Sequence, residues 1–376
     1  MRFEYATAAR IVFGEGSVRE AAAAAASMGR RALVVTGGSG DRSGALAGVE
    51  RFAVGGEPTI DTVREGVQVA RGAECDVVVA IGGGSAIDAG KAIAAMMANP
   101  GDPLDYLEVI GAGKPLEQAT APFVAIPTTA GTGSEVTRNA VLASPERRVK
   151  ASLRSAGMLP RLAVVDPELT YGLPRAVTVS TGLDALTQLI EPYVSVKANP
   201  MTDAICVDGL RRVAGALPRV WENSGNREAR AEMSWASLLG GMALANAGLG
   251  AVHGFAAPVG GMFDAPHGAI CAAVLPGAME VNIRALRERD AGAAALRKYE
   301  EVARILTGRA QASAEDGAKW VGELCRRLEV PPLGTYGVRD GDAETLVEKA
   351  ARASSMKGNP ILLNTHELRE IVTRAM

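Results

Sequence analysis

The sequence predicts an N-terminal α/β domain over residues 1–174 followed by an all-helical C-terminal domain over residues 175–376, on three observations. Short β-branched runs alternate with alanine-rich helical segments up to Pro174, the runs disappear after it, and glycine-rich segments in the first half directly follow strand-like runs. A chain of 376 residues also exceeds the roughly 250–300 residues at which single cores stop growing.

Four strands are predicted in order: Arg31–Thr36 (RALVVT), Asp76–Ile81 (DVVVAI), Phe123–Pro127 (FVAIP) and Leu162–Asp166 (LAVVD). A strand with one wet face would alternate apolar and polar residues. These runs are continuously apolar, so they read as parallel strands covered by helices on both sides. In the second half, helical periodicity predicts helices over Ala176–Val194, Pro200–Val220, Arg227–Ala247, Pro258–Val281, Ala293–Leu306, Ala314–Leu328, Asp342–Ala353 and Thr365–Ala375.

Composition narrows the function classes. Lys+Arg 40 against Asp+Glu 42 leaves a net charge of −2, which excludes a dedicated nucleic-acid binder, and 48% hydrophobic residues exclude a disordered chain. Cys75, Cys206, Cys271 and Cys325 show no CxxC spacing and read as free thiols in a reducing compartment. Residues 1–16 lack a basic leader and an apolar core, and runs such as Val77–Ile81 and Ile93–Ala98 fall far short of the ~20 residues of a membrane span. A cytoplasmic protein with no membrane partner is expected. The chain holds three histidines, His253, His267 and His366, so any imidazole chemistry must use these. His366, in LLNTHELREIV, reads as a solvated or capping residue.

Three segments carry chemistry. Ile81–Lys91 (IGGGSAIDAGK) follows the DVVVA strand, and its glycines let the backbone approach a ligand closely where Ser85 begins a helix. Free N–H groups and the positive end of a helix dipole there would cradle a pyrophosphate. A plain strand-to-helix turn is the other reading of this segment alone. Pro127–Glu135 (PTTAGTGSE) follows the FVAI strand and gathers Thr128, Thr129, Thr132 and Ser134 at a strand's carboxyl end, where open α/β sheets bind ligands. A solvated loop is the alternative. In Thr181–Glu191 (TGLDALTQLIE), Asp184 and Gln188 share one helix face in an apolar stretch, where a carboxylate needs a partner. That partner could be a helix end or a distant arginine. Two of the three histidines, His253 and His267, fall in the apolar segment Gly250–Leu275, which favours a metal site over two packed core histidines.

The set GGGSAIDAGK, PTTAGTGSEVT, VVDPELT, LPR, TGLDALTQLIEPYVS, ANPMTDA and VHGFAAPVGGMFDAPHGAICAAVLP resembles the iron-containing (group III) alcohol dehydrogenases, which share their architecture with dehydroquinate synthase-like proteins. The resemblance runs from about Phe3 to the KGNP segment. It implies a dinucleotide-binding α/β domain, a helical domain, a cleft between them, and hydride transfer between a nicotinamide and a small alcohol or aldehyde. Residue by residue, Gly82, Gly83, Gly84 and Ser85 match the pyrophosphate loop, with Asp88 and Lys91 on the helix behind it. Thr128, Thr129 and Thr132 match threonines that contact the cofactor, and Lys150 matches a lysine that reaches the ribose. Asp184, His253 and His267 match three of four metal ligands and the catalytic centre they form. Two positions depart from the pattern: Gln188 stands where the family has its fourth ligand, a histidine, and Ala257 where it has a histidine associated with catalysis.

Three ligands suffice for a weakened Fe2+ or Zn2+ site in which Gln188 offers an amide oxygen, and Cys271, four residues after His267, is a conceivable compensating thiolate. A metal-independent descendant using the same cleft is the competing expectation. After the first strand, relatives carry an aspartate that selects NAD(H). Here Gly37 is followed by Gly38, Ser39, Gly40, Asp41 and Arg42, so NAD(P)H is expected with a mild lean to NADPH. Glu57, in GGEPTID, replaces a family Asn-Pro loop. Phe255, Met262 and Phe263 indicate a modest apolar pocket for a small alcohol or aldehyde. Relatives are commonly homo-oligomers, so a dimer is expected. The alternatives are a maleylacetate reductase-like enzyme, a dehydroquinate synthase-like lyase, and a degenerate nucleotide-binding protein.

Overall fold

The structure, a computed structural model, describes residues 2–38 and 50–376. Ser39, Gly40, Asp41 and Arg42 lie outside the described residues. The chain forms two compact units, one of residues 6–171 and one of residues 172–376 together with residues 2–5.

The first unit contains strands β1 (Ile11–Phe13), β2 (Ala32–Gly37), β3 (Glu50–Val54), β4 (Val77–Gly82), β5 (Phe123–Pro127), β6 (Asn139–Ser144), β7 (Val149–Arg154) and β8 (Leu162–Val165). Its α-helices are α1 (Ala21–Met28), α2 (Ile60–Gly72), α3 (Gly84–Ala98) and the single turn α4 (Pro103–Tyr106). Six strands form a parallel sheet in the order β1-β8-β5-β4-β2-β3. Successive side chains point to opposite faces. Leu33, Val35, Val78, Ala80, Phe123 and Ala125 therefore meet Val63 and Val67 of α2 and Ile87 and Ile93 of α3 on one side. Val34, Val79, Ile81, Val124, Ile126 and Val164 meet Val18, Ala21 and Ala25 on the other. This two-sided burial is what the continuous apolar runs encoded, and each buried Val or Ile contributes roughly 1.5–3 kcal/mol.

The four expected strands are β2, β4, β5 and β8. Their edge neighbours β1 and β3 and the antiparallel hairpin β6-β7 have no such signature. β3 is mostly wet, and β6 buries only every second side chain, so their sequences mix polar residues into the strand.

The second unit is helical: α5 (Arg175–Val194), α6 (Pro200–Glu222), α7 (Arg227–Ala247), α8 (Ala251–Met262), α9 (His267–Arg289), α10 (Ala294–Thr307), α11 (Ala314–Arg327), α12 (Ala343–Arg352) and α13 (Thr365–Ala375). The single helix expected over Pro258–Val281 is in fact the end of α8 and the start of α9. Pro266 forces the break: proline disfavours helix at the residue before it, and its own extended backbone caps α9. Pro258, expected to begin a helix, lies inside α8. Gly248, at φ 72°, ends α7, and α8 leaves at 99° to it. Among the described residues, one helix, α9, is long and apolar enough to cross a membrane, but most of it is buried within this unit. Residues 2–5 also belong here. Burial and nearby Cys206 of α6 push the Tyr5 hydroxyl up to about 12.

Candidate active site

In the α/β unit, the expected glycines and threonines converge at the carboxyl ends of β2, β4 and β5. A Cβ on Gly82 would lie 2.6 Å from Ala86 Cβ and 3.1 Å from the Gly37 nitrogen, so only glycine lets the first turn of α3 close against β2. A Cβ on Gly84 would meet Thr132 Oγ1 and Cγ2 at 2.8 Å, and one on Gly83 would lie 3.5 Å from Thr129 Cγ2. The Thr128 N–H donates to the Gly82 carbonyl at 2.9 Å, tying the two loops together. No side chain caps α3, whose N-cap is Gly83, so its first turn, with Ser85, presents backbone N–H groups.

Charged residues in and near these motifs tie neighbouring elements together. Asp88, expected in the cofactor set, accepts from the Val141 N–H at 2.9 Å and lies 3.2 Å from Lys91 Nζ. Lys91 is fully buried and donates to the Ser134 carbonyl at 2.9 Å, Thr137 Oγ1 at 2.8 Å and the Asn139 carbonyl at 2.5 Å. Its ammonium thereby fastens the threonine loop to α3. Burial pushes the neighbouring Glu135 carboxyl up to about 7, against the pull of Lys91. Lys150, on β7, is paired with Glu57, and its side chain is buried.

In the helical unit, Asp184 on α5, His253 on α8, and His267 and Cys271 on α9 bring one donor atom each to within 4.8 Å of all the others. Asp184 Oδ1 lies 3.4 Å from His253 Nε2 and 3.6 Å from His267 Nε2. Cys271 Sγ is 3.8 Å from His253 Nε2 and 3.7 Å from His267 Nε2. Asp184 is 1% exposed, and its Oδ1 has no hydrogen-bond partner. A buried carboxylate oxygen without a hydrogen bond is costly unless a cation completes it, so this donor set fits a divalent metal. Gln188 Oε1, one helical turn on, is likewise buried without a partner. His267 is the partly exposed member of the four, its side chain 37% accessible.

Close packing sets these positions. A Cβ on Gly268 would fall 2.3 Å from the Ser180 carbonyl oxygen, so glycine lets the first turn of α9 press onto α5 and brings His267 and Cys271 toward Asp184. The N-terminus of α8 has no cap of its own, since its N-cap is Gly250. Two distant side chains replace it: Glu191 accepts from the Val252 N–H at 2.7 Å, and Asn359 Oδ1 accepts from the Ala251 N–H at 3.0 Å. The other Glu191 oxygen is 2.6 Å from His253 Nδ1, which leaves Nε2 to face the cluster. Neither Glu191 nor Asn359 was singled out as functional in the sequence. The available signal was the position of Glu191 seven residues after Asp184, on the same helix face.

The charges favour a cation. Burial alone would raise the Asp184 carboxyl, but the facing imidazoles of His267 and His253 hold it below the usual carboxylate range. Burial would lower both imidazoles, yet Cys271, Asp184 and, for His253, Glu191 raise them instead. Phe255 is fully buried and therefore packs the core, whereas Met262 and Phe263 are partly accessible. Ala257 lies on α8 one turn after His253 and brings no titratable group.

Comparison with known proteins adds to this geometry. Residues 8–167 match the family described as iron-containing alcohol dehydrogenase, and residues 178–376 match the C-terminal domain of the same family. Alcohol dehydrogenase 4 of Schizosaccharomyces pombe is 38% identical over 85% of this chain and 73% of its own length. The NAD-dependent methanol dehydrogenase of Bacillus methanolicus is 36% identical over 85% of this chain and 82% of its own. A crystal structure of 1,3-propanediol oxidoreductase superposes with a TM-score of 0.89 at 33% identity, covering 100% of both chains.

Proposed function

Because the chain belongs to the iron-containing alcohol dehydrogenases, we propose that it interconverts a small alcohol and its aldehyde or ketone by hydride transfer with a nicotinamide dinucleotide, using a divalent metal. The observation that carries this reading is the convergence of the His253 and His267 imidazoles, at 3.4 and 3.6 Å, on a buried Asp184 oxygen that has no hydrogen-bond partner.

Within it, Gly82, Gly83, Gly84 and Ser85 hold the pyrophosphate through backbone N–H groups, and Thr128, Thr129 and Thr132 contact the cofactor. Gly37 admits the adenosine end, and Lys150 orients the ribose while Glu57 fixes the lysine in turn. Asp88 and Lys91 brace these loops. Asp184, His253 and His267 hold the metal, with Glu191 fixing the ring of His253. When bound, the metal supplies Lewis-acid polarisation of the substrate oxygen, and the nicotinamide supplies the hydride acceptor or donor. Ala257 carries no proton, so proton release falls to water on the accessible His267 side. Met262 and Phe263 line an apolar part of the substrate site.

The proposal takes NAD(P)H as the cofactor class. Gly37 offers no carboxylate to repel a 2′-phosphate, which favours NADPH, whereas the methanol dehydrogenase relative is described as NAD-dependent. The reading also includes a homodimer in the cytoplasm. The test is turnover of a panel of short alcohols and aldehydes with NAD(H) and NADP(H), before and after chelation, with metal content measured on the same preparation. Cofactor-dependent turnover lost on chelation and restored by a divalent ion is expected. Full activity in metal-free protein would overturn the metal role, and dinucleotide binding without turnover of any substrate would overturn the oxidoreductase. Comparing kcat/KM for the two cofactors decides between them.

A further inference from the structure

We infer that Cys271 is the fourth protein ligand of this site, bound as a thiolate, and that the resulting Asp184, His253, His267, Cys271 set selects zinc over iron. The inference rests on the proposed metal-dependent reading and deepens it.

Donor spacing comes first. With metal–nitrogen and metal–oxygen bonds of about 2.0–2.1 Å and a metal–sulfur bond of about 2.3 Å, tetrahedral angles put N/O donor pairs about 3.4 Å apart and N/S pairs about 3.6 Å apart. The chain holds its two N/O pairs at 3.4 and 3.6 Å and its two N/S pairs at 3.7 and 3.8 Å. Four of the six donor pairs, from three helices, therefore already stand within a few tenths of an ångström of a zinc shell, and all six lie within 4.8 Å.

The surroundings of the thiol point the same way. A buried cysteine that only fills space sits among apolar groups. Cys271 is fully buried, yet its sulfur faces two imidazole nitrogens. It lies one turn after His267 on the helix that Gly268 presses against α5, so the backbone geometry that delivers the histidine delivers the sulfur too.

Charge supplies the third argument. Asp184 and a Cys271 thiolate would put two negative charges directly against a divalent ion, whereas a set completed by the neutral amide of Gln188 would leave Asp184 alone in direct contact, with Glu191 one imidazole away behind His253. Thiolate ligation with two imidazoles suits zinc, and zinc(II) binds a given N/O/S site more tightly than iron(II). Catalytic zinc can expand to five ligands, so four protein donors still admit a substrate oxygen.

The test loads the full-length protein with zinc(II) alone or cobalt(II) alone. X-ray absorption of the zinc form should show one sulfur at about 2.3 Å among nitrogen and oxygen neighbours at about 2.0–2.1 Å. The cobalt form should show a thiolate-to-metal charge-transfer band in the near ultraviolet, lost in Cys271→Ser and kept in Gln188→Ala and Cys325→Ser. Zinc affinity should fall on the order of 100-fold or more in Cys271→Ser, above the 10–100-fold expected for loss of an outer partner. A shell of nitrogen and oxygen alone in the wild type would overturn the inference without any variant having to fold, as would a band that survives Cys271→Ser. Competition between zinc(II) and iron(II) won by iron would overturn the selectivity. Turnover by zinc protein with no sulfur neighbour sinks this inference and leaves the oxidoreductase standing. A zinc–sulfur shell without turnover does the reverse.

Discussion

Glu191 joins His253 to the backbone that carries it: one carboxylate oxygen lies 2.6 Å from Nδ1 of the ring, and the other accepts from the N–H of Val252 at 2.7 Å. A single side chain thus caps α8 and fixes which ring nitrogen faces the cluster. Replacing Glu191 by Gln keeps a backbone acceptor but removes the charge that makes the imidazole a better ligand. Metal affinity, measured by competition with a chromophoric chelator, should drop about 10–100-fold, with little change in the helical circular dichroism.

Lys91→Met probes the scaffold under the dinucleotide loops. The substitution leaves the Asp88 carboxylate and the carbonyls of Ser134 and Asn139 buried without their common donor. Breaking a buried pair from one side costs about 3–5 kcal/mol. Urea unfolding followed by a signal from the α/β unit should register a loss of that order.

Glu135 predicts a pH dependence of stability. Burial raises its folded value to about 7 from an unfolded value of about 4.5, so the folded chain retains the proton longer. Its contribution is therefore complete below pH 4.5 and is lost as pH rises through 7, by about 3 kcal/mol. Glu135→Gln should remove this part of the decline. Denaturant titrations of both proteins at several pH values between 5 and 8 check it, and parallel curves would refute the assignment.

Gly84→Ala should damage the nucleotide loop alone. The new methyl group would sit 2.8 Å from Thr132, which costs about 1–3 kcal/mol if the loop must move to accommodate it. NADH or NADPH binding, followed by fluorescence, should weaken about 5–150-fold, while metal content stays at the wild-type level.

The fold and the site were legible to different depths, for physical reasons. β2, β4, β5 and β8 show in the sequence because burial on both faces demands uninterrupted apolar residues. β3 and the β6-β7 hairpin do not, because strands with a wet face use ordinary mixed sequence, and β1, though apolar, is only three residues long. Asp184, His253 and His267 stand out as polar residues in apolar stretches. Glu191 and Asn359 do not, since their role is to satisfy backbone N–H groups of a helix far away in sequence, and no spacing rule relates them to Gly250. The break between α8 and α9 was available from Asp264 and Pro266, which interrupt a largely apolar segment.

Residues 2–5 cluster with the helical unit rather than with the strands that follow them. During synthesis, residues 6–171 emerge first and carry their own core, so they can fold while the ribosome is still making α5 onward. Residues 2–5 then wait for the helical unit, and Tyr5 finds its place near Cys206 only when α6 arrives. An affinity tag fused ahead of Tyr5 would therefore be felt in the maturation of the half that binds the metal, not in the half to which it is adjacent in sequence.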